Sequence, residues 1–285
     1  MDTPRRMPLG TQDFELLRSN GDLYVDKTQY IEKLFALGRV FFLSRPHRFG
    51  KSLFLSTLKA YFEGKKELFD GLYIAKVEAE LAQQQKREPW EARPVLYFDL
   101  NAEYYTSLEI LEMALATELV RWETRYGLEN NSLTIPNRFR AVIRKTYEMT
   151  GKRVVVLVDE YDKPLLETLE NEELNQQNRS LLRAFYESIK QCDGAIHFAL
   201  LTGITKFSKT TLFSSVNNLK DITLQDHFAA ICGFTEQELT DNFAPEIEAL
   251  ATAQKSSVEK TLETLKKKYD GYCFASSGEH VYNPF

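Results

Sequence analysis

The sequence predicts an α/β protein in which a mostly parallel sheet is covered by helices on both faces, in three layers. The first observation is a set of nearly continuous apolar runs, as strands buried on both faces should have. These runs are residues 40–43, 95–98, 154–158 and 196–201. The second observation is that helical patterns fill the gaps between the runs. Strands that alternate with helices form parallel βαβ units, which define this fold class.

The helices between the strands are predicted from apolar residues at helical spacing, which would place one apolar face of each helix against the sheet. The three sets are Phe54, Leu55, Leu58 and Phe62; Leu108, Leu111, Leu115 and Leu119; and Leu181, Leu182, Phe185 and Ile189. A short fifth strand is expected at residues 222–224.

After about residue 228 the pattern changes to helices alone. Thr235 and Glu238 have the spacing of a capping box, and apolar residues follow at helical intervals. We therefore expect residues 1–228 to form the α/β core with an N-terminal extension, and residues 229–285 to form a small C-terminal helical lid. The sequence ends abruptly in an apolar stretch at residues 281–285, which predicts a chain cut short before a further domain.

The composition is that of a folded protein with a moderate acidic balance. Of the 285 residues, 43% are hydrophobic and the net charge is −5, which excludes a disordered chain and gives no support for nucleic-acid binding. The three cysteines are far apart, which argues against a zinc site and suits a reducing cytoplasm. Without a membrane-length apolar run or a signal-peptide pattern, the sequence predicts a cytoplasmic protein with no membrane partner.

A phosphate-binding loop is predicted between the first strand and the helix that follows it. Gly50 lets the backbone approach an anion closely, and free amides at a helix N-terminus attract phosphate. Lys51 would reach the β- and γ-phosphates of ATP, and the Ser52 hydroxyl would bind Mg²⁺. The usual pattern has glycine where Arg45 stands, but the added positive charge favours an anion. The candidate nucleotide-binding residues are Arg45, Pro46, His47, Arg48, Phe49, Gly50, Lys51, Ser52 and Leu53.

Two adjacent carboxylates follow the third apolar run. Asp159 is predicted to hold Mg²⁺, directly or through water, and Glu160 to polarise the attacking water as the catalytic base. A solvated turn is the alternative for this pair taken alone, but two carboxylates beside a buried strand are costly unless a cation or donors satisfy them. Because another strand separates the phosphate loop from the pair, the order favours the additional-strand, catalytic-glutamate division of P-loop NTPases.

The fourth run ends in polar and basic residues. In such a sheet this strand lies between the first and third strands, so its end would face the γ-phosphate. Thr202 is predicted to act as a sensor hydroxyl, and either Lys206 or Lys209 to neutralise charge in the transition state. An ordinary polar loop with solvated lysines is the alternative for each lysine.

Together these segments resemble the "AAA-ATPase-like" family over nearly the whole chain. The matching segments are LGTQDF (residues 9–14), YVDKT (24–28), RPHRFGKSL (45–53), TGITKFSK (202–209), NNLKDIT (217–223) and YDGY (269–272). In that family arginine is expected at the position of Arg45, whereas His47 stands where arginine is common. The resemblance implies a bacterial ATPase related to archaeal-type and signalling P-loop ATPases, often fused to a C-terminal PD-(D/E)XK nuclease-like domain.

The leading hypothesis is an Mg²⁺-dependent ATPase module that drives or gates a partner or a missing effector domain. A nucleotide-gated switch with negligible turnover is the second, and a P-loop kinase acting on a small molecule is the third. A DNA-binding module has no support from the net charge. Association with copies of itself or with another protein is left open.

Overall fold

Five parallel strands form the central sheet of the protein. The computed structural model describes residues 6–8, 10–129, 133–205, 212, 218–276 and 278–284. The strands of the sheet are β1 (Val40–Ser44), β2 (Val95–Asp99), β3 (Val154–Asp159), β4 (Ile196–Gly203) and β5 (Lys220–Asp221). Their spatial order is β2-β3-β4-β1-β5, and each pair of neighbours is parallel. The four predicted strands are thus confirmed, and β4 lies between β1 and β3 as predicted.

The fifth strand differs slightly from its predicted position. It consists of residues 220–221 and pairs with Phe41 and Phe42 of β1. The Ser44 amide donates instead to the Thr223 hydroxyl at 3.0 Å. The backbone ladder therefore stops early because a side chain accepts the next hydrogen bond.

Helices cover both faces of the sheet. In chain order they are α1 (Phe14–Ser19), α2 (Gln29–Leu37), α3 (Lys51–Phe62), α4 (Tyr73–Gln84), α5 (Leu108–Tyr126), α6 (Ile135–Thr150), α7 (Lys163–Leu166), α8 (Glu172–Gln191), α9 (Glu236–Ala253) and α10 (Val258–Tyr269). Among the described helices, none combines the length and the apolar character needed to cross a membrane.

The core is divided between the two faces of the sheet, as strand β3 shows. Val154, Val156 and Val158 belong to a cluster with residues of α5, α6 and α8. Val155 and Leu157 belong to a second cluster, which includes residues of α3. All five side chains are fully buried, because alternate residues of a strand point to opposite faces and helices cover both. The predicted three-layer α/β fold is confirmed.

The segment after residue 228 contains a hairpin as well as helices. Helix α9 begins at the predicted capping box, in which Thr235 and Glu238 exchange side-chain and backbone hydrogen bonds. The expectation of helices alone is wrong, because β6 (Asp270–Cys273) and β7 (His280–Tyr282) form an antiparallel pair. Tyr282 extends this pairing by exchanging two backbone hydrogen bonds with Phe234.

An ion pair joins this segment to the N-terminal part of the chain. The Lys27 ammonium lies 2.6 Å from the Glu238 carboxylate and donates to the Ala230 carbonyl at 2.8 Å. Lys27 is 8% exposed. The partners that compensate its buried charge lie about two hundred residues away in sequence. Lys27 therefore has a structural role in a segment that resembles the family.

Candidate nucleotide-binding and catalytic site

The carboxyl ends of three neighbouring strands bring the predicted site residues together. In the register of β1 with β4, Leu43 is opposite Thr202 and Ser44 is opposite Gly203. On the other side of β4, Val158 is opposite Leu201. The phosphate loop after β1, the acidic pair at the end of β3 and Thr202 therefore meet at one edge of the sheet. In open α/β sheets, ligands bind at this edge.

The phosphate loop, residues 45–52, turns directly from β1 into α3. Gly50 is the N-cap of α3 with a φ of 94°, and Arg48 has a φ of 64°. A Cβ atom added at Gly50 would meet no other atom within 4 Å. The positive φ, and not crowding, therefore favours glycine at this position. His47 and Arg48 are exposed, while Pro46, Ser52 and Leu53 are half-buried. The N-terminus of a twelve-residue helix thus opens onto the loop, as anion binding requires.

Lys51 links the phosphate loop to the acidic pair. Its side chain is 3% exposed, and its ammonium donates to the carbonyls of Arg45 and Pro46 at 3.1 and 3.2 Å. The same ammonium lies 3.1 Å from Glu160 Oε1. The two residues that sequence analysis assigned to phosphate binding and to base catalysis are therefore in direct contact.

Glu160 is held in a strained and desolvated position. Its φ is 52°, which a non-glycine residue seldom adopts, and it is 6% exposed. Burial raises the pKa of its carboxyl, while the Lys51 ammonium opposes that rise. Its Oε2 is buried without a hydrogen-bond partner among the described residues. His47 Nδ1, on a largely exposed ring, is 3.9 Å from Oε1. Strain and a raised pKa of this kind are typical of functional sites.

Asp159 and Thr202 form a buried pair next to Glu160. The Thr202 hydroxyl donates to Asp159 Oδ1 at 2.6 Å, and the Glu160 amide donates to the same oxygen at 3.1 Å. Asp159 is 2% exposed and Thr202 is fully buried. A carboxylate, the Ser52 hydroxyl and the unpartnered Glu160 oxygen are the oxygen donors that suit Mg²⁺. The described residues contain no cluster of three or more acidic, histidine or cysteine side chains that could hold a metal ion. Mg²⁺ is usually bound through one or two carboxylates together with water and substrate phosphates.

The Arg45 guanidinium donates to backbone carbonyls outside the phosphate loop. Its guanidinium donates to the carbonyls of Ser44, Thr223 and Phe228 at 2.8, 2.7 and 2.9 Å. It also lies 4.1 Å from the centre of the Phe274 ring, and it is 1% exposed. Sequence analysis expected this side chain to add positive charge to the phosphate loop. Its guanidinium instead binds buried carbonyls beneath the loop.

Phe49 connects the phosphate loop to the C-terminal hairpin. Its ring centre lies 4.7 Å from that of Tyr272 and 5.6 Å from that of Phe274. The Phe49 carbonyl accepts a hydrogen bond of 3.0 Å from the Gly233 amide. Phe49 is 1% exposed, so its side chain packs in the core while its backbone remains in the loop.

Replacing Arg45 with the glycine of the usual pattern should destabilise the protein. The Arg45→Gly variant removes the guanidinium donors of three buried carbonyl groups, and we expect the free energy of unfolding to fall by about 2–4 kcal/mol. Arg48→Gly is the matched control, because Arg48 is exposed and its positive φ suits glycine. Denaturant unfolding measures both variants, and equal midpoints would contradict the structural role of Arg45.

The structure adds residues that the sequence did not single out. Asp162 is one of them, and its carboxylate accepts hydrogen bonds from two amides of the turn after β4. The sequence feature that could have identified Asp162 is its position, three residues after Asp159. Tyr272 was part of a motif without an assigned role. Lys206 and Lys209 lie outside the described residues.

This sheet order, with a phosphate loop after β1 and an acidic pair after β3, defines a three-layer P-loop NTPase fold. Residues 8–213 match the family described as Predicted AAA-ATPase, and the chain belongs to this family of nucleotide-binding proteins. The chain is also similar to the "Uncharacterized protein in vnfD 5'region" of Azotobacter chroococcum mcd 1. The two are 39% identical over 283 residues, which are 99% of this chain and 51% of the relative, so the chain spans about half the length of that protein.

Proposed function

We propose that this chain binds ATP with Mg²⁺ and hydrolyses it. The observation that supports this best is the contact of Lys51 with Glu160 at 3.1 Å, at the start of a helix that follows a phosphate loop. A lysine for the phosphates and a carboxylate for the attacking water lie within one hydrogen bond of each other. Hydrolysis of a γ-phosphate needs both groups at the same site, with the lysine on the phosphates and the carboxylate next to the attacking water.

Each residue has a separate task in this proposal. The amides at the start of α3 and the Lys51 ammonium bind the phosphates, and Asp159 and Ser52 would hold Mg²⁺, which neutralises charge on the phosphates. Glu160 orients the water and accepts its proton. Burial raises the pKa of its carboxyl toward neutral pH, which suits a general base. Thr202 senses the γ-phosphate through its bond to Asp159.

A nucleotide-gated switch with very slow turnover is the second candidate. It is favoured by the same ion pair, because the carboxylate that would act as base is bound to Lys51 and to the loop. Phosphates that attract Lys51 would release Glu160, so binding would change the contacts of both residues. Since the similar bacterial protein is about twice as long, we further propose that the module drives or gates another domain, a partner protein or a second copy.

Mg²⁺-dependent release of phosphate from ATP tests the proposal. We expect multiple turnovers with Mg²⁺ and none with a chelator. The Asp159→Asn variant should need a higher Mg²⁺ concentration, because a neutral amide binds the ion more weakly than a carboxylate. Asp193→Asn is the control: Asp193 pairs with Arg39, before β4 and β1 begin, and should leave the Mg²⁺ dependence unchanged. Binding of ATP without release of phosphate would favour the switch.

A further inference from the structure

Asp162 is a fully buried carboxylate that binds the backbone of the turn following β4. Its Oδ2 accepts hydrogen bonds from the amides of Ile204 and Thr205 at 3.0 and 2.7 Å. The Thr205 hydroxyl donates to the same oxygen at 2.5 Å. All three donors thus bind the same carboxylate oxygen. Hydrogen bonds to a carboxylate are charge-assisted and are stronger than bonds between neutral groups.

The ordinary role of an aspartate at this position would be to cap a helix, and Asp162 does not do so. It stands at the N-cap of α7, but its side chain makes no capping hydrogen bond there. The side chain instead reaches across to the turn that follows β4, about forty residues later in the chain. Its contacts therefore hold the turn next to the end of β4, where Thr202 lies.

The same turn is held from both neighbouring strands. The amide of Tyr161 donates to the Thr202 carbonyl at 2.8 Å, and the Tyr161 hydroxyl donates to the Thr205 carbonyl at 3.0 Å. From β1, the Ser44 hydroxyl donates to the Ile204 carbonyl at 2.6 Å. A Cβ atom at Gly203 would lie 2.5 Å from Asp162 Oδ1 and from the Tyr161 ring. The turn and the residues after Glu160 are thus packed with no space between them.

We propose that Asp162 is a positioning residue for hydrolysis, an inference that rests on the proposed ATPase function. By fixing residues 204 and 205, it holds the end of β4 so that the Thr202 hydroxyl remains on Asp159. Displacement of Thr202 by a fraction of an ångström would loosen Asp159 and, through the Glu160 amide on the same oxygen, the base. Asp162 itself does not contact the nucleotide and contributes nothing to affinity.

The Asp162→Asn variant tests this role, because asparagine keeps the size of the side chain and loses its charge. All three donors then face the neutral oxygen of an amide, which is a weaker acceptor than a carboxylate oxygen. We expect the dissociation constant for ATP to stay within about threefold, while the single-turnover rate at saturating ATP falls roughly 10- to 100-fold. Tyr161→Phe removes a second tie to the turn and should lower the rate in the same way but less.

A double-mutant cycle with Thr202→Val separates positioning from general structural damage. If Asp162 acts through Thr202, the double variant should be no slower than the slower single variant, since interacting residues are not additive. Glu123→Gln is the matched control: this buried carboxylate accepts two bonds from Arg138 between α5 and α6 and should leave the rate unchanged.

The outcomes distinguish this inference from the function on which it rests. A parent chain that hydrolyses ATP, with an Asp162→Asn variant that is equally fast, contradicts the positioning role alone. Rate losses for Asp162→Asn and Thr202→Val that multiply in the double variant also contradict it. A parent chain that never releases phosphate contradicts the proposed ATPase, and the positioning role is then wrong as well.

Discussion

Glu160→Gln should abolish most of the turnover of ATP and leave its binding intact. The substitution keeps the size of the side chain but removes the basicity that general-base catalysis needs, which typically contributes roughly 10²–10⁴-fold to the rate. ATP should bind at least as tightly as to the parent, because Lys51 no longer has a carboxylate competing with the phosphates at 3.1 Å. A single-turnover assay at saturating ATP, with binding measured separately by calorimetry, gives both quantities.

The pH dependence provides an internal control for this variant. Because burial raises the pKa of Glu160, its base form is lost at a higher pH than for an ordinary glutamate as the solution is acidified. The parent's rate should therefore fall with decreasing pH through that raised pKa, and the residual rate of the Glu160→Gln variant should lack this step. Hydrolysis by the variant at the parent rate would show that Glu160 is not the base and would favour the switch.

Lys51→Ala should remove tight binding of ATP. The loss of a charge-assisted contact to the phosphates costs about 2–3 kcal/mol, which corresponds to roughly 30- to 150-fold in affinity. Calorimetric titration with Mg·ATP measures this loss. Lys59→Ala is the matched control, because Lys59 is on the same helix but lies near the Tyr97 ring, and its removal should leave the affinity unchanged.

The contacts of Lys51 require a second variant in this experiment. Lys51→Ala also leaves the buried Glu160 carboxylate without its cation, which by itself lowers the stability of the fold. The double variant Lys51→Ala/Glu160→Gln removes both charges, so it should recover part of the stability while still binding ATP weakly. Parent-like affinity in either folded variant would contradict the assignment of the phosphate site.

Local patterns in the sequence predicted much of the fold and of the site. The apolar runs predicted β1 to β4 because strands covered on both faces need apolar residues at every position. The spacing of Thr235 and Glu238 predicted the start of α9 because a capping box involves only four consecutive residues. The hairpin of β6 and β7 was missed, since its strands have only four and three residues, too few for a clear apolar pattern.

What the sequence by itself determined is the set of chemical groups at the site: the glycine and lysine of the phosphate loop, the acidic pair, and Thr202 at a strand end. These follow from short segments whose residues are neighbours in the chain. Only the tertiary structure decided that Arg45 binds carbonyls beneath the loop, that Lys51 contacts Glu160, and that Asp162 holds the turn after β4. Each of these contacts joins the end of one strand to another part of the chain. They depend on the order β2-β3-β4-β1-β5, which sets the strand ends that are close enough for hydrogen bonds.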